Sequence, residues 1–276
     1  MTSPTIGFIG GGNMARALIG GLVADGWPQD RLWVADPDAS QRQLLSREFG
    51  ALHITGENAL VVDHGDVLLF AVKPQMLNPV ARALAVQVQT RKPLIVSIAA
   101  GVRAAALERW LGGGLAIVRC MPNTPALVKS AATGLYANAQ ADAAQRALAQ
   151  RVLQAVGVAV WVEDELLLDV VTALSGSGPA YFLLVMEAME QAAVQLGLRP
   201  EVARPLTLQT ALGAARMALS SSEAPAALRA RVTSKGGTTE CAVAELERGD
   251  LHRHFERAVT AAYRRAQELA EEFAEG

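Results

Sequence analysis

The 276-residue sequence predicts an α/β protein in which an N-terminal parallel-sheet domain is followed by an all-helical domain. Up to about residue 162, short apolar runs alternate with helix-like stretches, and several runs are apolar throughout. Such runs are typical of strands that helices cover on both faces of a parallel sheet. Beyond that point only helical periodicity continues. We therefore place the boundary near residues 163–165, with a sheet domain over residues 1–163 and a helical domain over residues 164–276.

The alternation of the first domain predicts each of its elements in turn. Apolar runs predict strands at residues 5–9, 32–35, 67–72, 94–98, 116–118 and 157–162. Helical spacing between them predicts helices at residues 13–25, 39–49, 77–86 and 104–111. Strands that alternate with helices in this way form parallel sheets joined by right-handed crossovers.

The second domain reads as six helices, at residues 165–174, 181–196, 201–219, 226–232, 239–246 and 255–273. In the second of these an apolar stripe recurs at steps of four and three, through Phe182, Met186, Met189, Ala193 and Leu196. A helix this apolar needs more cover than a small monomeric bundle provides. We therefore favour burial against another subunit, the alternative being a helix in the chain's own core.

Composition narrows the possible partners. The chain is 51% hydrophobic and 19% charged, with a formal net charge of −2 and scattered basic residues, which argues against a nucleic-acid partner. Its two cysteines and four histidines lack metal-ligand spacing, so no metal is expected. We expect a cytoplasmic protein without a membrane partner, because the N-terminus has no basic segment and no apolar run spans a bilayer without interruption.

The strongest local motif is the opening loop, Ile9-Gly10-Gly11-Gly12-Asn13-Met14-Ala15. Gly10 permits the tight turn after the strand, Gly12 lets the backbone approach a pyrophosphate, and Ala15 allows close packing of helix on strand. The amides that open the helix then face the anion. Since the loop follows a strand and opens a helix, it predicts a Rossmann-type site for NAD or NADP.

Asp36 ends the second predicted strand, where an acidic side chain accepts a hydrogen bond from the adenosine ribose 2′-hydroxyl. A carboxylate there repels the additional phosphate of NADP. Arg42 lies a few residues further on and offsets that repulsion if it turns toward the phosphate; otherwise it is a solvated helix residue. The choice between the two cofactors stays open at this point.

Two further strand ends carry candidate cofactor residues. Ala71-Val72-Lys73-Pro74 leaves a buried strand at its carboxyl end, the side on which such sheets bind ligands. Lys73 lies against cofactor phosphate or ribose, or is a solvated residue at the strand end. Ala99-Ala100-Gly101 follows the next strand, and its small residues suit a flat nicotinamide close to the backbone.

Three loops narrow the reaction class. Two prolines make Met121-Pro122-Asn123-Thr124-Pro125 rigid, and Ser175-Gly176-Ser177-Gly178-Pro179-Ala180-Tyr181 breaks two apolar helices. Thr233-Ser234-Lys235-Gly236-Gly237-Thr238-Thr239-Glu240 presents amides and hydroxyls at a helix start, a nest that suits a carboxylate. Helix capping is the alternative for the last two, but capping does not need so many small polar residues.

Through these motifs the whole chain resembles the pyrroline-5-carboxylate reductase family. The resemblance implies reduction of 1-pyrroline-5-carboxylate to L-proline by NADPH or NADH, the last step of proline biosynthesis. It also implies a Rossmann domain followed by a helical domain that interleaves with its twin in a homodimer, which in some members assembles into a ring of dimers.

The resemblance also implies roles for individual residues. The pyrophosphate would lie on Gly10, Gly11, Gly12, Asn13 and Met14, directly after Ile9, and the adenosine near Asn58. The ribose and nicotinamide would be lined by Ala71, Val72, Lys73, Pro74, Ala99, Ala100 and Gly101. Thr172 would lie by the imine nitrogen, with Ser175 as a second catalytic candidate. The substrate carboxylate would be held by Gly236, Gly237, Thr238 and Thr239, with Glu223 a weaker candidate.

Three positions depart from the family pattern: Lys235 replaces a proline or small residue, Cys241 a small residue, and Asp36 the neutral or basic residue of NADPH-preferring members. Two other functions remain open. A 3-hydroxyacid dehydrogenase-like reductase needs a helical-domain lysine, and the only lysine of the second half, Lys235, lies in a loop. A non-catalytic dinucleotide-sensing module would not need the loops at Ser175 and Gly236.

Overall fold

A computed structural model of the chain describes residues 3–274. One eight-stranded sheet runs in the order β3-β2-β1-β4-β5-β6-β7-β8. Its strands are β1 (Ile6–Ile9), β2 (Leu32–Ala35), β3 (His53–Thr55), β4 (Val67–Phe70), β5 (Leu94–Ser97), β6 (Ile117–Met121), β7 (Ala131–Ala137) and β8 (Gly157–Trp161). Neighbouring strands are parallel except β6 and β7, which are antiparallel.

The helices that follow β1 to β5 are α1 (Asn13–Ala24), α2 (Ala39–Glu48), α3 (Asn58–His64), α4 (Pro74–Arg91) and α5 (Ala104–Leu111), and α6 (Ala143–Gln154) precedes β8. A short α7 (Leu167–Val171) continues into a π-helical turn, Thr172–Gly176. The remaining helices are α8 (Gly178–Gln195), α9 (Pro200–Leu219), α10 (Pro225–Arg231), α11 (Thr238–Arg248) and α12 (Leu251–Ala274).

The predicted sheet core is observed. All four residues of β1, β4 and β5 are buried, as expected for strands covered on both faces. Local signals set several helix ends: the Asp38 carboxylate accepts the Ser40 amide at the start of α2, and Gly112 ends α5 in the left-handed region with φ of 94°.

Two strands and two helices were absent from the sequence assignment, namely β3, β7, α3 and α6. Strand β7 also breaks the all-parallel pattern, because it follows β6 through a short loop rather than through a helical crossover. Its sequence, Ala-Ala-Thr-Gly-Leu-Tyr-Ala, has little of the apolar bulk typical of a strand. A Cβ at Gly134 would lie 2.7 Å from Val171 Cγ1, so α7 packs directly on this small-residue surface.

Internal contacts divide the chain into two compact units. The first contains the sheet, α7 and the π turn up to Ser177, together with the chain from Ala262 onward. The second is Gly178–Ala261. This grouping differs from the boundary predicted at residues 163 and 164, because α7 packs on β6 and β7 and because Ala266 and Ala270 of α12 are buried. As a domain boundary, the division at 163 and 164 stays a prediction.

In the second unit three of the five residues of the predicted apolar stripe are exposed, and Met186 and Ala193 are half-buried. Phe182 is 70% exposed, Met189 47% and Leu196 90%. Within the part of the chain that the structure describes, this helix is therefore not a core helix of its own subunit. By length and composition the helical run Leu167–Gln195 could also cross a membrane, a weak signal because apolar helices of soluble proteins pass the same test.

Candidate active site

The strand ends that the sequence singled out form one row at the carboxyl edge of the sheet. Ile9 of β1 is in register with Ala35 of β2 on one side and with Phe70 of β4 on the other. Phe70 is in register with Ser97 of β5, and Ser97 with Arg119 of β6. The predicted cofactor segments leave these strands directly and therefore start side by side.

The opening loop is tightly constrained at Gly10. Its φ is +97°, and a Cβ there would lie 2.9 Å from the carbonyl oxygen of Ala71. The Gly10 amide donates to the Ala35 carbonyl at 2.8 Å, which joins the loop to the end of β2. The position thus requires glycine for its backbone angle and for the close approach of β4.

The start of α1 fits an anion. Its N-cap is Gly12, and among the described residues no side chain caps the helix and no acidic residue lies in its first turn. A Cβ at Gly12 would meet nothing within 4 Å, so the space in front of the helix is open. The first-turn amides, including those of Asn13 and Met14, are directed into that space. The residues present therefore fit the pyrophosphate of a dinucleotide.

Both charges predicted at the end of β2 are held in place. The Asp36 carboxylate accepts the Gly11 amide at 2.8 Å and the Asp38 amide at 2.9 Å. Arg42 Nη1 donates to the carbonyl oxygens of Asp36 at 2.7 Å and Pro37 at 2.9 Å. Arg42 is thus anchored at this corner rather than freely solvated. Hydrogen bonds from Ser40 also hold the pKa of the Asp38 carboxyl below its usual value.

The other cofactor candidates flank the same edge. Asn58 is the first residue of α3 and follows β3, the strand next to β2. Lys73 is an exposed N-cap of α4 and Pro74 opens that helix, so the amides of α4 also face outward without a side-chain cap. Residues 99–101 turn away from β5 at Gly101, whose φ is +77°.

Thr172 and Ser175 lie on the π turn, within the same unit as the cofactor segments. Their hydroxyls donate to the carbonyl oxygens of Leu168 at 2.7 Å and Val171 at 3.0 Å. Asn123 Nδ2 donates to the Ser175 carbonyl at 2.8 Å. The rigid loop after β6 and the Ser-Gly-Ser-Gly segment, which the sequence treated as separate motifs, are therefore in direct contact.

A buried charge cluster behind this region was missed by the sequence analysis. Arg119 Nη1 lies 2.6 Å from Glu165 Oε1, and Arg103 Nη2 lies 2.5 Å from Asp169 Oδ2. Arg119 is 4% exposed and Asp169 2%, and burial lowers the pKa of Arg119 while Glu165 opposes that shift. The sequence offered one signal for this cluster, namely Arg119 inside the otherwise apolar strand β6. A buried charge of this kind needs a partner of opposite charge.

The second unit carries the predicted carboxylate nest. Gly236 has φ of +72°, and its amide donates to Glu240 Oε2 at 2.7 Å, so it is already directed at a carboxylate oxygen. Gly237 is the N-cap of α11 without a side-chain cap, and Thr238 and Thr239 open that helix. Glu223, the weaker candidate, is paired with Arg231 at 2.7 Å.

Other reactive groups play no part in this geometry. Cys120 is buried, which raises the pKa of its thiol, and Cys241 is exposed. Within residues 3–274, no three histidine, cysteine, aspartate or glutamate side chains cluster as metal ligands.

Comparison with known proteins identifies the family of the chain. Residues 165–269 match a family model described as pyrroline-5-carboxylate reductase dimerisation, and residues 5–101 match one described as NADP oxidoreductase, coenzyme F420-dependent. A pyrroline-5-carboxylate reductase of Pseudomonas aeruginosa is 52% identical over 99% of both chains.

Solved structures extend the likeness to the whole fold. A pyrroline-5-carboxylate reductase from Coxiella burnetii superposes with a TM-score of 0.93 at 45% identity, covering 97% of this chain and 98% of the other. A pyrroline carboxylate reductase from Plasmodium falciparum, solved with NADP bound, superposes with a TM-score of 0.85 at 27% identity, covering 98% and 99%. The predicted fold class and family are confirmed, and the chain belongs to the pyrroline-5-carboxylate reductase family.

Proposed function

We propose that the protein reduces 1-pyrroline-5-carboxylate to L-proline with NADH or NADPH bound along the carboxyl edge of the sheet. The observation that carries the proposal is the row of strand ends. There the glycine loop, residues 71–74 and residues 99–101 start side by side in the unit that also holds the π turn with Thr172 and Ser175. Family membership supplies the substrate class.

We assign the pyrophosphate to the amides that open α1, because they have no acceptor from a capping side chain. The adenosine then lies toward Asp36 and Asn58, and the ribose and nicotinamide toward residues 71–74 and 99–101. When bound, the reduced nicotinamide supplies a hydride equivalent, and the reaction also consumes one proton as the C=N bond becomes C–N.

The chain contributes to the imine through Thr172. The hydroxyl proton of Thr172 is donated to the Leu168 carbonyl. The hydroxyl oxygen can therefore accept a hydrogen bond from a protonated imine nitrogen through its lone pairs. Such a contact favours the charged iminium, which is the better hydride acceptor. Solution supplies the proton, so the residues need only hold the substrate in line, and positioning accounts for most of the rate. Ser175, with its proton directed at Val171, is the second acceptor.

For the substrate carboxylate we propose the nest of Gly236, Gly237, Thr238 and Thr239. The Gly236 amide donates to Glu240 of its own helix, so a substrate carboxylate has to replace Glu240 as the acceptor. The start of α11 without a side-chain cap and the hydroxyls of Thr238 and Thr239 support the assignment. Glu223 contributes less directly, because its charge is neutralised by Arg231.

Both cofactors are accepted in this proposal, and the balance is set at the end of β2. The Asp36 carboxylate repels a 2′-phosphate, while Arg42, anchored on the neighbouring carbonyls, attracts it. In this proposal the cofactor preference depends on the balance between the two charges.

The apolar face of α8 supports an assembly through the helical unit, and the matched family model is a dimerisation model. We propose a homodimer as the basic unit, with a larger ring of dimers as its further assembly. The predicted cytoplasmic location fits an enzyme that draws on the cell's pool of reduced nicotinamide.

The test is a set of turnover assays that follow loss of NADH or NADPH absorbance. We expect oxidation with 1-pyrroline-5-carboxylate and none with a panel of 3-hydroxyacids and ketoacids run with the appropriate cofactor form. Turnover of a hydroxyacid or ketoacid in place of the imine would favour the dehydrogenase alternative. Cofactor binding without any turnover would favour the sensing module.

A further inference from the structure

The cluster of Arg103, Arg119, Glu165 and Asp169, in which Arg119 and Asp169 are buried and the other two half-buried, joins three elements that adjoin the proposed site segments. Arg119 lies on β6, Arg103 is the N-cap of α5, and Asp169 lies on α7. Arg103 follows Gly101, in the segment proposed to line the nicotinamide, by two positions, and Asp169 precedes Thr172 by three. The cluster therefore links the donor side of the site to the acceptor side.

The hydrogen bonds within the cluster cross between these elements. Glu165 Oε1 accepts from Arg119 Nη1 at 2.6 Å and from the Ala104 amide at 2.6 Å, so one carboxylate oxygen ties β6 to the start of α5. Arg103 donates to Asp169 Oδ2 at 2.5 Å and to the Glu165 carbonyl at 3.4 Å. Each arginine thus meets an acidic residue from the segment that leads into the π turn.

Stability alone does not account for such a cluster. Desolvation of buried ion pairs costs about as much as their attraction returns, and well-packed apolar residues in their place are often equally stable. Directional, charge-assisted hydrogen bonds also fix the relative positions of the segments that they join. Hydride transfer depends on geometry, since a misplacement of roughly 1 Å costs about 100-fold in rate.

We propose that Arg103, Arg119, Glu165 and Asp169 are positioning residues that hold the nicotinamide-lining segment 99–101 at a set distance from Thr172. The proposal rests on the reduction proposed above and assigns these four residues no contact with substrate. They act by fixing the α5 start and the α7–π-turn segment against β6.

The test compares three variants with wild type for kcat, both KM values and the primary isotope effect with cofactor deuterated at the transferred position. Asp169→Asn keeps the side-chain volume but removes the charge opposite Arg103. Glu165→Gln keeps an acceptor for the Ala104 amide but removes the charge opposite Arg119. Arg103→Lys keeps the charge and loses the planar fork.

We expect kcat to fall by about tenfold or more in Asp169→Asn and in Glu165→Gln, and less in Arg103→Lys, with the cofactor KM within about twofold of wild type. The isotope effect is expected to rise in all three, because hydride transfer becomes slower relative to binding and release. Glu48→Gln is the matched control, since it removes the exposed ion pair of Arg16 and Glu48 in the same unit. We expect that control to leave every parameter unchanged.

The proposal is overturned if the three variants have lower melting temperatures but the kcat and isotope effect of wild type. The proposal also fails if the order of kcat values across the variants is the order of their melting temperatures, because a loss of stability would then account for the loss of rate. Wild-type turnover is measured first, so a protein that does not reduce the imine contradicts the proposed function and this inference with it. Normal wild-type turnover with unaffected variants contradicts the inference alone.

Discussion

Two glycine loops carry the two halves of the proposed chemistry, and they are built differently. At Gly10 a side chain would meet the Ala71 carbonyl at 2.9 Å, in a loop hydrogen-bonded to the ends of two strands. At Gly236 the backbone angle is similar in sign, with φ of +72°, but a side chain would meet nothing within 4 Å. One loop is enclosed by its own chain and the other is open.

The surroundings explain the difference. The first loop lies on a sheet whose central strands are buried throughout, whereas the buried residues of the second unit, Gly178–Ala261, are Gly178, Ala203 and Thr207. The cofactor loop is therefore preorganised by a single folded chain. The nest is held by its helix α11 and by local contacts, and its exposed apolar neighbours indicate cover from another subunit.

The largest expected effect is at Gly10. Gly10→Ala places a Cβ against the Ala71 carbonyl and forces a non-glycine residue to a φ of +97°, which costs about 1–3 kcal/mol in backbone strain alone. We expect a lower melting temperature and cofactor affinity reduced about 100-fold, since about 2.7 kcal/mol of binding energy is lost with the loop geometry. Calorimetric titration with NADH measures the affinity. If Gly10→Ala bound NADH as tightly as wild type, the loop could not be as closely enclosed as the structure indicates.

A smaller effect is expected at the open loop. Thr239→Ala removes one hydroxyl proposed to hold the substrate carboxylate, and a hydrogen bond to a charged group contributes about 1.5–3 kcal/mol, so the substrate KM should rise about tenfold or more. The cofactor KM should not change. Steady-state kinetics with both substrates varied separates the two values.

Thr90→Ala is the matched control for that variant, because its hydroxyl donates to the Val86 carbonyl on the exposed face of α4. It should change neither KM. Equal increases in the two KM values of Thr239→Ala would argue against a carboxylate nest at this position.

Strands and helices that are determined by their own residues and immediate neighbours could be predicted from the sequence. Residues 32–35 and 104–111 have the predicted bounds, since apolar runs and flanking glycines act within a few residues. Helix α6 carried a local signal that was overlooked: Asp142 and Gln145 form a capping box at its start.

Features that depend on distant residues could not be predicted in this way. Strand β7 is held by pairing with β6 on one side and β8 on the other, and Val171 packs at its Gly134. Its own seven residues do not indicate these contacts. The charge cluster joins positions 103, 119, 165 and 169, which no single motif contains. For the same reason the sequence offered Thr172 and Ser175 as site residues without their connection to Asn123.

A substitution at Asp36, which is hydrogen-bonded to the enclosed loop, tests whether this region sets the preference between NADH and NADPH. Asp36→Ser removes the carboxylate that accepts the Gly11 and Asp38 amides, so that Asp38 is the remaining carboxylate near Arg42 at that corner. We expect the ratio of kcat/KM for NADPH over NADH to rise about tenfold, equivalent to about 1.4 kcal/mol. Kinetics with both cofactors measures the ratio, and an unchanged ratio would mean that Asp36 does not face the ribose.

The smallest effect is expected from Gly236→Ala, the substitution in the open loop that corresponds to Gly10→Ala in the enclosed loop. Gly236→Ala meets no atom within 4 Å, so only the backbone angle of +72° opposes it, at a cost of about 1–2 kcal/mol. The melting temperature should fall slightly, the substrate KM should rise by about threefold as the Gly236 amide turns, and cofactor affinity should be retained. The same titration and kinetics as for Gly10→Ala make the pair directly comparable. If Gly236→Ala were as damaging as Gly10→Ala, the nest would have to be enclosed by atoms outside the single chain, and subunit contact at that loop would be the next feature to test.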